Sequence, residues 1–337
     1  MGTVIPLKKE INNSYLELKN LVEDKLDSVN QVIKYKLESK VNLIQKMTNH
    51  HLYMGGKRIR PLLTLATSKL CGYKNGNRDI NLAACVELIH SATLLHDDVI
   101  DKSDLRRGIK TANSIWGNQS SILIGDYLFS RCFEMMVEDG TSEILKLLSS
   151  TSSIIAQGEV LQLEHKGEVD LLEETYFKII SMKTAALFSA ATRVGACIAN
   201  KSKKEKDALE SYGKNIGLAF QIADDALDYY STQKIFGKEI GKDFFEGKAT
   251  LPLIIIFQRA NDEEKSFLKE IFKKEKRNED DFSETLALIN KYKAIEESFK
   301  RAEYFVNISY GALGIFEDSV EKKVLQNLTG FSLNRSF

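Results

Sequence analysis

Only three prolines, Pro6, Pro61 and Pro252, occur in 337 residues. Long stretches are therefore free to be helical, because proline removes a backbone donor and blocks the preceding turn. Cysteine is equally sparse. Cys71, Cys85, Cys132 and Cys197 stand far apart without a C-x-x-C pair, which excludes zinc spacing and a dense disulfide framework. They read as small core residues of a reducing compartment. Net charge is missing too. The 47 basic and 47 acidic side chains cancel, so nothing draws the chain in bulk to nucleic acid or an anionic membrane. No apolar run approaches the ~18 residues of a membrane span; "LPLIIIF" is too short, and Arg193 interrupts "LFSAATRVGACIA". The opening "MGTVIPLKKEINNSY" has no apolar stretch of a secretory signal, and Pro6 stands where a myristoylation motif needs Ser or Thr. We expect a soluble, cytoplasmic protein.

What is present is helical periodicity. In "CVELIHSATLLHDDVID", "ILKLLSSTSSIIAQGEVLQL" and "YGKNIGLAFQIADDALDYY" apolar residues recur at three and four. Strand-like alternation is scarce. Turn signals separate the segments at 72–77 ("GYKNGN"), 138–142 ("EDGTS"), 200–205 ("NKSKKE") and 259–262 ("RAND"). The chain reads as all-α, about a dozen helices in a single domain over 1–337. Residues 261–300 are much more charged than the middle and read as a solvated outer helical layer.

Two acidic clusters break the apolar pattern. "LLHDDVIDKSDLRRG" (94–108) sets Asp97, Asp98 and Asp101 at the end of a core-like segment, and "ADDALDYY" repeats the D-D-x-x-D spacing with Asp224, Asp225 and Asp228. Residues four apart share a helix face. One such cluster could be a solvated helix end. Partly buried, two unit charges ~6 Å apart at an effective dielectric of ~20 repel by ~3 kcal/mol, a cost that a divalent cation reverses. Oxygen-only ligands favour a hard ion, and Mg²⁺ suits carboxylates shared with phosphate oxygens. Cations supply the other half: Lys57, Arg58 and Arg60 in "MGGKRIRP", Arg106 and Arg107 in "DLRRG", Lys183 beside Thr184 in "SMKTAA", and Lys238 and Lys248 in "FGKEIGKDFFEGKATLP". Arg forks and Lys point charges bind phosphate, although "GGKR" is no Walker A loop. Gln221 lies one turn before the second cluster. His90 sits two turns before Asp97 on the same face, whereas His96 points elsewhere and reads as structural. A G-x-S-x-G elbow and a Cys/His nucleophile pair are both missing.

From Gly55 to Pro252 the chain resembles the trans-type polyprenyl diphosphate synthases, especially the long-chain, octaprenyl-like members. The resemblance rests on seven motifs in the family order: "GGKRIRPLL", "ELIHSATLLHDDVIDKSDLRRG", "GDYLFSRCFEMM", "GEVLQL", "MKTAALF", "GLAFQIADDALDYY" and "GKEIGKDFFEGKATLPL". It implies an all-helical fold around a deep central cavity, usually a homodimer, that condenses isopentenyl diphosphate with an allylic primer such as farnesyl diphosphate. It implies Mg²⁺ on Asp97, Asp101 and Asp224, with Asp98, Asp225 and Asp228 assisting. Lys57, Arg60, His90 and Arg107 fall on the isopentenyl diphosphate site, and Arg106, Lys183, Lys238 and Lys248 on the allylic diphosphate site. Thr184 and Gln221 fall near the developing cation. Small residues Ala92 and Thr93 before the first motif imply a long product, about eight units give or take two by analogy, such as a quinone side chain; Phe133 on the "FSRCFEMM" face is a deeper candidate stop. Membrane contact would be peripheral at most, for product release. Ser120, Ser121 and Ala249 depart from the usual pattern without changing charge. Two alternatives stand beside this one. A class I terpene cyclase would not need the "GGKRIRP" and His90 site, and a regulatory subunit would not need two complete acidic motifs.

Overall fold

The computed structural model describes residues 7–230 and 240–331. An amino-terminal layer consists of α1 (Leu7–Leu21), α2 (Glu23–Lys36) and α3 (Asn42–Tyr53). Next come α4 (Ile59–Leu70), α5 (Arg78–Ile100), the single-turn α6 (Ala112–Trp116), α7 (Asn118–Asp139) and α8 (Ser142–Glu164). Then α9 (Glu173–Ile180) runs through a π-helical turn, Ser181–Ala185, into α10 (Ala186–Ile198), followed by α11 (Lys203–Leu227) and the short α12 (Lys242–Glu246). The carboxy-terminal part holds α13 (Leu251–Arg259), α14 (Asp262–Lys273), α15 (Glu279–Lys291), α16 (Ala294–Ala312) and α17 (Val320–Thr329). Seventeen α-helices thus stand among the described residues where about a dozen were expected. The surplus comes partly from one-turn pieces and from the π turn that divides one long segment in two.

Local chemistry explains the boundaries. Pro61 and Pro252 lie in the first turns of α4 and α13, where a missing N–H has no intrahelical partner to lose. Reciprocal capping boxes start α11 (Ser202 with Glu205), α14 (Asn261 with Glu264) and α15 (Asn278 with Asp281), each satisfying two otherwise orphaned donors. Among the described residues, strand pairing occurs only around "DLRRG". Leu105–Arg106 pairs antiparallel with Ile109–Lys110 across Arg107 and Gly108, both at positive φ (55° and 76°). That is the two-residue hairpin turn whose twist matches the strands.

Two apolar cores lie side by side, and α11 serves both. Leu209, Tyr212 and Ile216 pack into the amino-terminal core, whereas Leu218, Ile222 and Ala226 pack into the carboxy-terminal one. Within 261–300, Leu268, Ile271, Phe272, Phe282 and Ile289 are buried while ion pairs such as Lys291–Glu264 lie outside. The stretch is thus amphipathic.

Two glycines decide how closely the π turn is gripped. A Cβ on Gly158 of α8 would lie 2.7 Å from Met182 Cβ and 2.9 Å from Lys183 N, and one on Gly217 of α11 would lie 2.7 Å from Ala185 Cα. Only glycine lets α8 and α11 close on that turn. π turns of this kind recur at functional sites.

Candidate active site

Between α5, α8, the π turn, α11 and α12 lies a cavity of about 1750 Å³. Asp97 and Asp101, from the end of α5, and Asp224, Asp225 and Asp228, from the end of α11, line it together. Two segments more than a hundred residues apart are thus brought to one space. Among the described residues, no three His, Cys, Asp or Glu side chains converge into a ready cation cage.

The aspartates of the two clusters do different things. Burial first, then the carboxylates of Glu159 and Asp101, push the Asp97 carboxyl up to about 7 against the pull of Lys183 and Arg106. Asp98 faces away from the cavity. It is 1% exposed and takes a forked contact from Arg106, Nε at 3.0 Å and Nη2 at 2.8 Å to Oδ1, so it aims that guanidinium toward the cavity. Asp101 pairs with Lys248 at 2.9 Å, and Asp228 Oδ2 accepts from the backbone N–H of Asp243 at 2.9 Å. Burial and the nearby Asp243 push the Asp225 carboxyl up, while bonds donated by Tyr176 and Gln221 pull it down.

The cations form two groups. In the first, Arg107 reaches back to donate to the carbonyl of Gly55, and a Cβ on Gly56 would lie 2.9 Å from its Nη1; this docks the "DLRRG" hairpin on the Gly-Gly turn. Lys57 Nζ lies 4.9 Å from the Phe331 ring centroid and lines the cavity with Arg60, His90 and Arg107. Arg60 stacks over Phe188 at 4.4 Å; burial pulls its guanidinium down to about 10, and its Nε has no partner. Burial, then Arg60 and Arg106, holds His90 well below the usual imidazole range, so it is a neutral ring. Arg58 instead pairs with Glu87.

In the second group, Lys183 Nζ lies 2.7 Å from Glu159 and 2.5 Å from Gln162 Oε1. Burial works against the charge of Lys248, yet Asp101, Asp243 and Glu246 hold its ammonium above the usual lysine range. Thr184 Oγ1 donates to Gln221 Oε1 at 2.8 Å. Lys238 lies outside the described residues.

Residues 41–289 match the family described as polyprenyl synthetase. Over 320 residues, the chain is 36% identical to the octaprenyl diphosphate synthase of Escherichia coli, covering 95% of this chain and 98% of that protein.

The chain belongs to the polyprenyl synthetase family.

Its fold is that of solved members of this polyprenyl synthetase family. A decaprenyl diphosphate synthase from Rhodobacter capsulatus superposes with a TM-score of 0.91 at 38% identity, covering 96% of this chain and 99% of that one. A polyprenyl synthase from Caulobacter crescentus, complexed with calcium and isoprenyl diphosphate, gives 0.92 at 40% identity over 96% of this chain and 98% of that one.

Within this polyprenyl synthetase the three residues nominated for product length part company. Thr93 lines the cavity. Ala92, on the preceding position of α5, is fully buried in the amino-terminal core. Phe133 is 47% exposed on α7 and stands apart from the cavity wall. Four wall residues went unassigned in the sequence: Glu159 and Gln162 behind Lys183, Asp243 behind the second cluster, and Tyr176. The first two sit inside "GEVLQL" one turn apart, a spacing that could have nominated them. Tyr176 had no signal, because its partner Asp225 is 49 residues away. His51, beside His90, is a buried imidazole that burial and then Arg58 and Arg106 pull down to about 3.

Proposed function

We infer that this polyprenyl synthetase elongates an allylic diphosphate by successive condensation with isopentenyl diphosphate, giving a long all-trans polyprenyl diphosphate. The observation that carries this reading is the convergence on one cavity of both aspartate clusters and two separate cationic groups. One group (Lys57, Arg60, Arg107, neutral His90) suits the diphosphate of the nucleophile. The other (Arg106, Lys183, Lys248) suits the diphosphate that leaves. A cyclase would need only the second.

The donor set fits a divalent cation, since burial and like charge already crowd Asp97 and all the ligands are hard oxygens. Asp97, Asp101 and Asp224 would hold Mg²⁺, which when bound neutralises charge on the leaving diphosphate. Lys183 and Lys248 are pre-aimed by Glu159 and Asp101, so little reorganisation accompanies ionisation. Arg106, fixed by Asp98, adds a fork for phosphate oxygens. Lys57, Arg60 and Arg107 hold isopentenyl diphosphate with its double bond toward the allylic carbon. Bond formation there places a cation on the former alkene, and loss of a proton to the departed pyrophosphate restores a double bond. Burial keeps His90 uncharged, so it serves as a hydrogen-bonding wall and not as a fixed charge.

Thr93, a small wall residue, leaves room for a growing chain, which supports a product near eight units by analogy. No helix among the described residues is long and apolar enough to cross a membrane, and we place the protein in the cytoplasm as one domain joined by α11, with peripheral contact at most when product leaves. We include a homodimer, since α7 exposes Ile122, Leu123, Phe133 and Val137, and α8 exposes Val160 and Leu163; a second copy would cover them. The deciding assay supplies isopentenyl and farnesyl diphosphates with Mg²⁺ and sizes the dephosphorylated products by mass spectrometry. Cyclised product without isopentenyl diphosphate, or no turnover by the protein alone, would overturn the reading.

A further inference from the structure

We propose that Tyr176 is a positioning residue that sets the direction of a hydrogen-bond chain ending at Thr184, a role that rests on the condensation reaction proposed above. Tyr176 projects from α9 and is 3% exposed. Its hydroxyl donates to Asp225 Oδ2 at 2.6 Å. Gln221 Nε2 donates to the other oxygen, Oδ1, at 2.7 Å, and Thr184 Oγ1 donates to Gln221 Oε1 at 2.8 Å. All four side chains line the cavity.

The order of donors follows from what each group can do. Both oxygens of Asp225 accept, one from Tyr176 and one from Gln221. With the Gln221 nitrogen committed to Asp225, its carbonyl must face Thr184. The single hydroxyl hydrogen of Thr184 is then used, and only its lone pairs remain for the cavity. That leaves the negative end of the Thr184 dipole toward the place where an allylic cation forms, an orientation fixed before the reaction begins. Without the Tyr176 hydroxyl, Oδ2 of Asp225 loses its donor. Gln221 can then turn to bridge both carboxylate oxygens, its carbonyl leaves Thr184, and the freed hydroxyl can point its hydrogen at the cation instead.

Packing makes the tyrosine a firm anchor. Its ring lies 5.5 Å from Phe177, which meets Phe305 of α16 at 5.5 Å. Thr184, at the far end, sits in the π turn gripped by Gly158 and Gly217. Both ends of the chain are therefore held by backbone, and only the central amide is free to turn.

The test is a kinetic cycle. Tyr176→Phe keeps the ring and removes the donor; kcat for elongation should fall about tenfold, the loss of one bond to a charged acceptor, while KM for both diphosphates changes less than about threefold. Thr184→Val should lose a similar factor, and Thr184→Ser, which keeps the hydroxyl, should recover most of that loss. The double variant, Tyr176→Phe with Thr184→Val, should be no slower than the slower single, because the two changes break one chain. Parent-like kcat in Tyr176→Phe, or losses that multiply in the double variant, would overturn the proposal. If the Phe variant does not fold, the same cycle is run with Tyr176→Met, which fills the space without a donor, and the same loss and the same non-additivity with Thr184→Val are expected. The parent enzyme in the same assay separates the two levels. A parent that elongates while Tyr176→Phe is unaffected refutes the Tyr176 role alone, whereas a parent that does not elongate refutes the function and this role with it.

Discussion

Replacing Asp97 by asparagine should stabilise the metal-free protein and abolish its turnover. The carboxyl is raised from its usual 3.8 to about 7, and a pKa difference of one is worth about 1.36 kcal/mol. The ceiling is therefore about 4 kcal/mol. The side chain faces an open cavity, so solvent screening lowers the expected gain to about 2 kcal/mol. The sign follows from linkage. Between the unfolded value and about 7, the folded state keeps its proton on Asp97 while the unfolded state has lost it, so the parent loses stability as pH rises through that window. The neutral amide of the variant carries no such penalty. Urea unfolding of parent and variant without divalent ions should show a small gain near pH 4 that grows through pH 7 and then levels. Mg²⁺ should narrow the gap by stabilising only the parent. A variant no more stable than the parent at pH 8, or one whose gain is independent of pH, would refute the argument that Asp97 is held against its charge.

Lys57→Ala should raise KM for isopentenyl diphosphate more than for the primer, and Lys183→Ala the reverse, each by a factor matching about 1.5–3 kcal/mol; equal effects in steady-state kinetics would contradict two separate sites. Asp98→Ala leaves Arg106 without its buried partner, and chemical denaturation should show a loss of about 1–3 kcal/mol, with weakened primer binding. Thr93→Tyr should shorten the product seen by mass spectrometry while catalysis continues, because the side chain faces the cavity. Ala92→Tyr, aimed into filled core, should instead lower stability by about 1–3 kcal/mol, read as a drop in Tm; a shortened product without that drop would show that the wall reaches further around α5.

The sequence by itself determined the helical class, several of the turns between helices and both acidic clusters. These are local facts: periodicity, turn residues and the D-D-x-x-D spacing are all written within a few residues. The cationic motifs were legible in the same way, apart from how they are presented, since "DLRRG" turns out to be a hairpin docked on Gly55 and Gly56. Tertiary structure decided which carboxylates face the cavity. Asp97 and Asp98 are adjacent in the chain, yet one lines the cavity and the other is committed to Arg106. It also separated Thr93 from Ala92, because neighbouring helix positions differ by about 100° and only packing says which side is hollow. Glu159 behind Lys183 and Tyr176 behind Asp225 emerged the same way. Their roles depend on partners 24 and 49 residues distant, and no local pattern encodes a contact that only the closing of α8, α9 and α11 around one cavity creates.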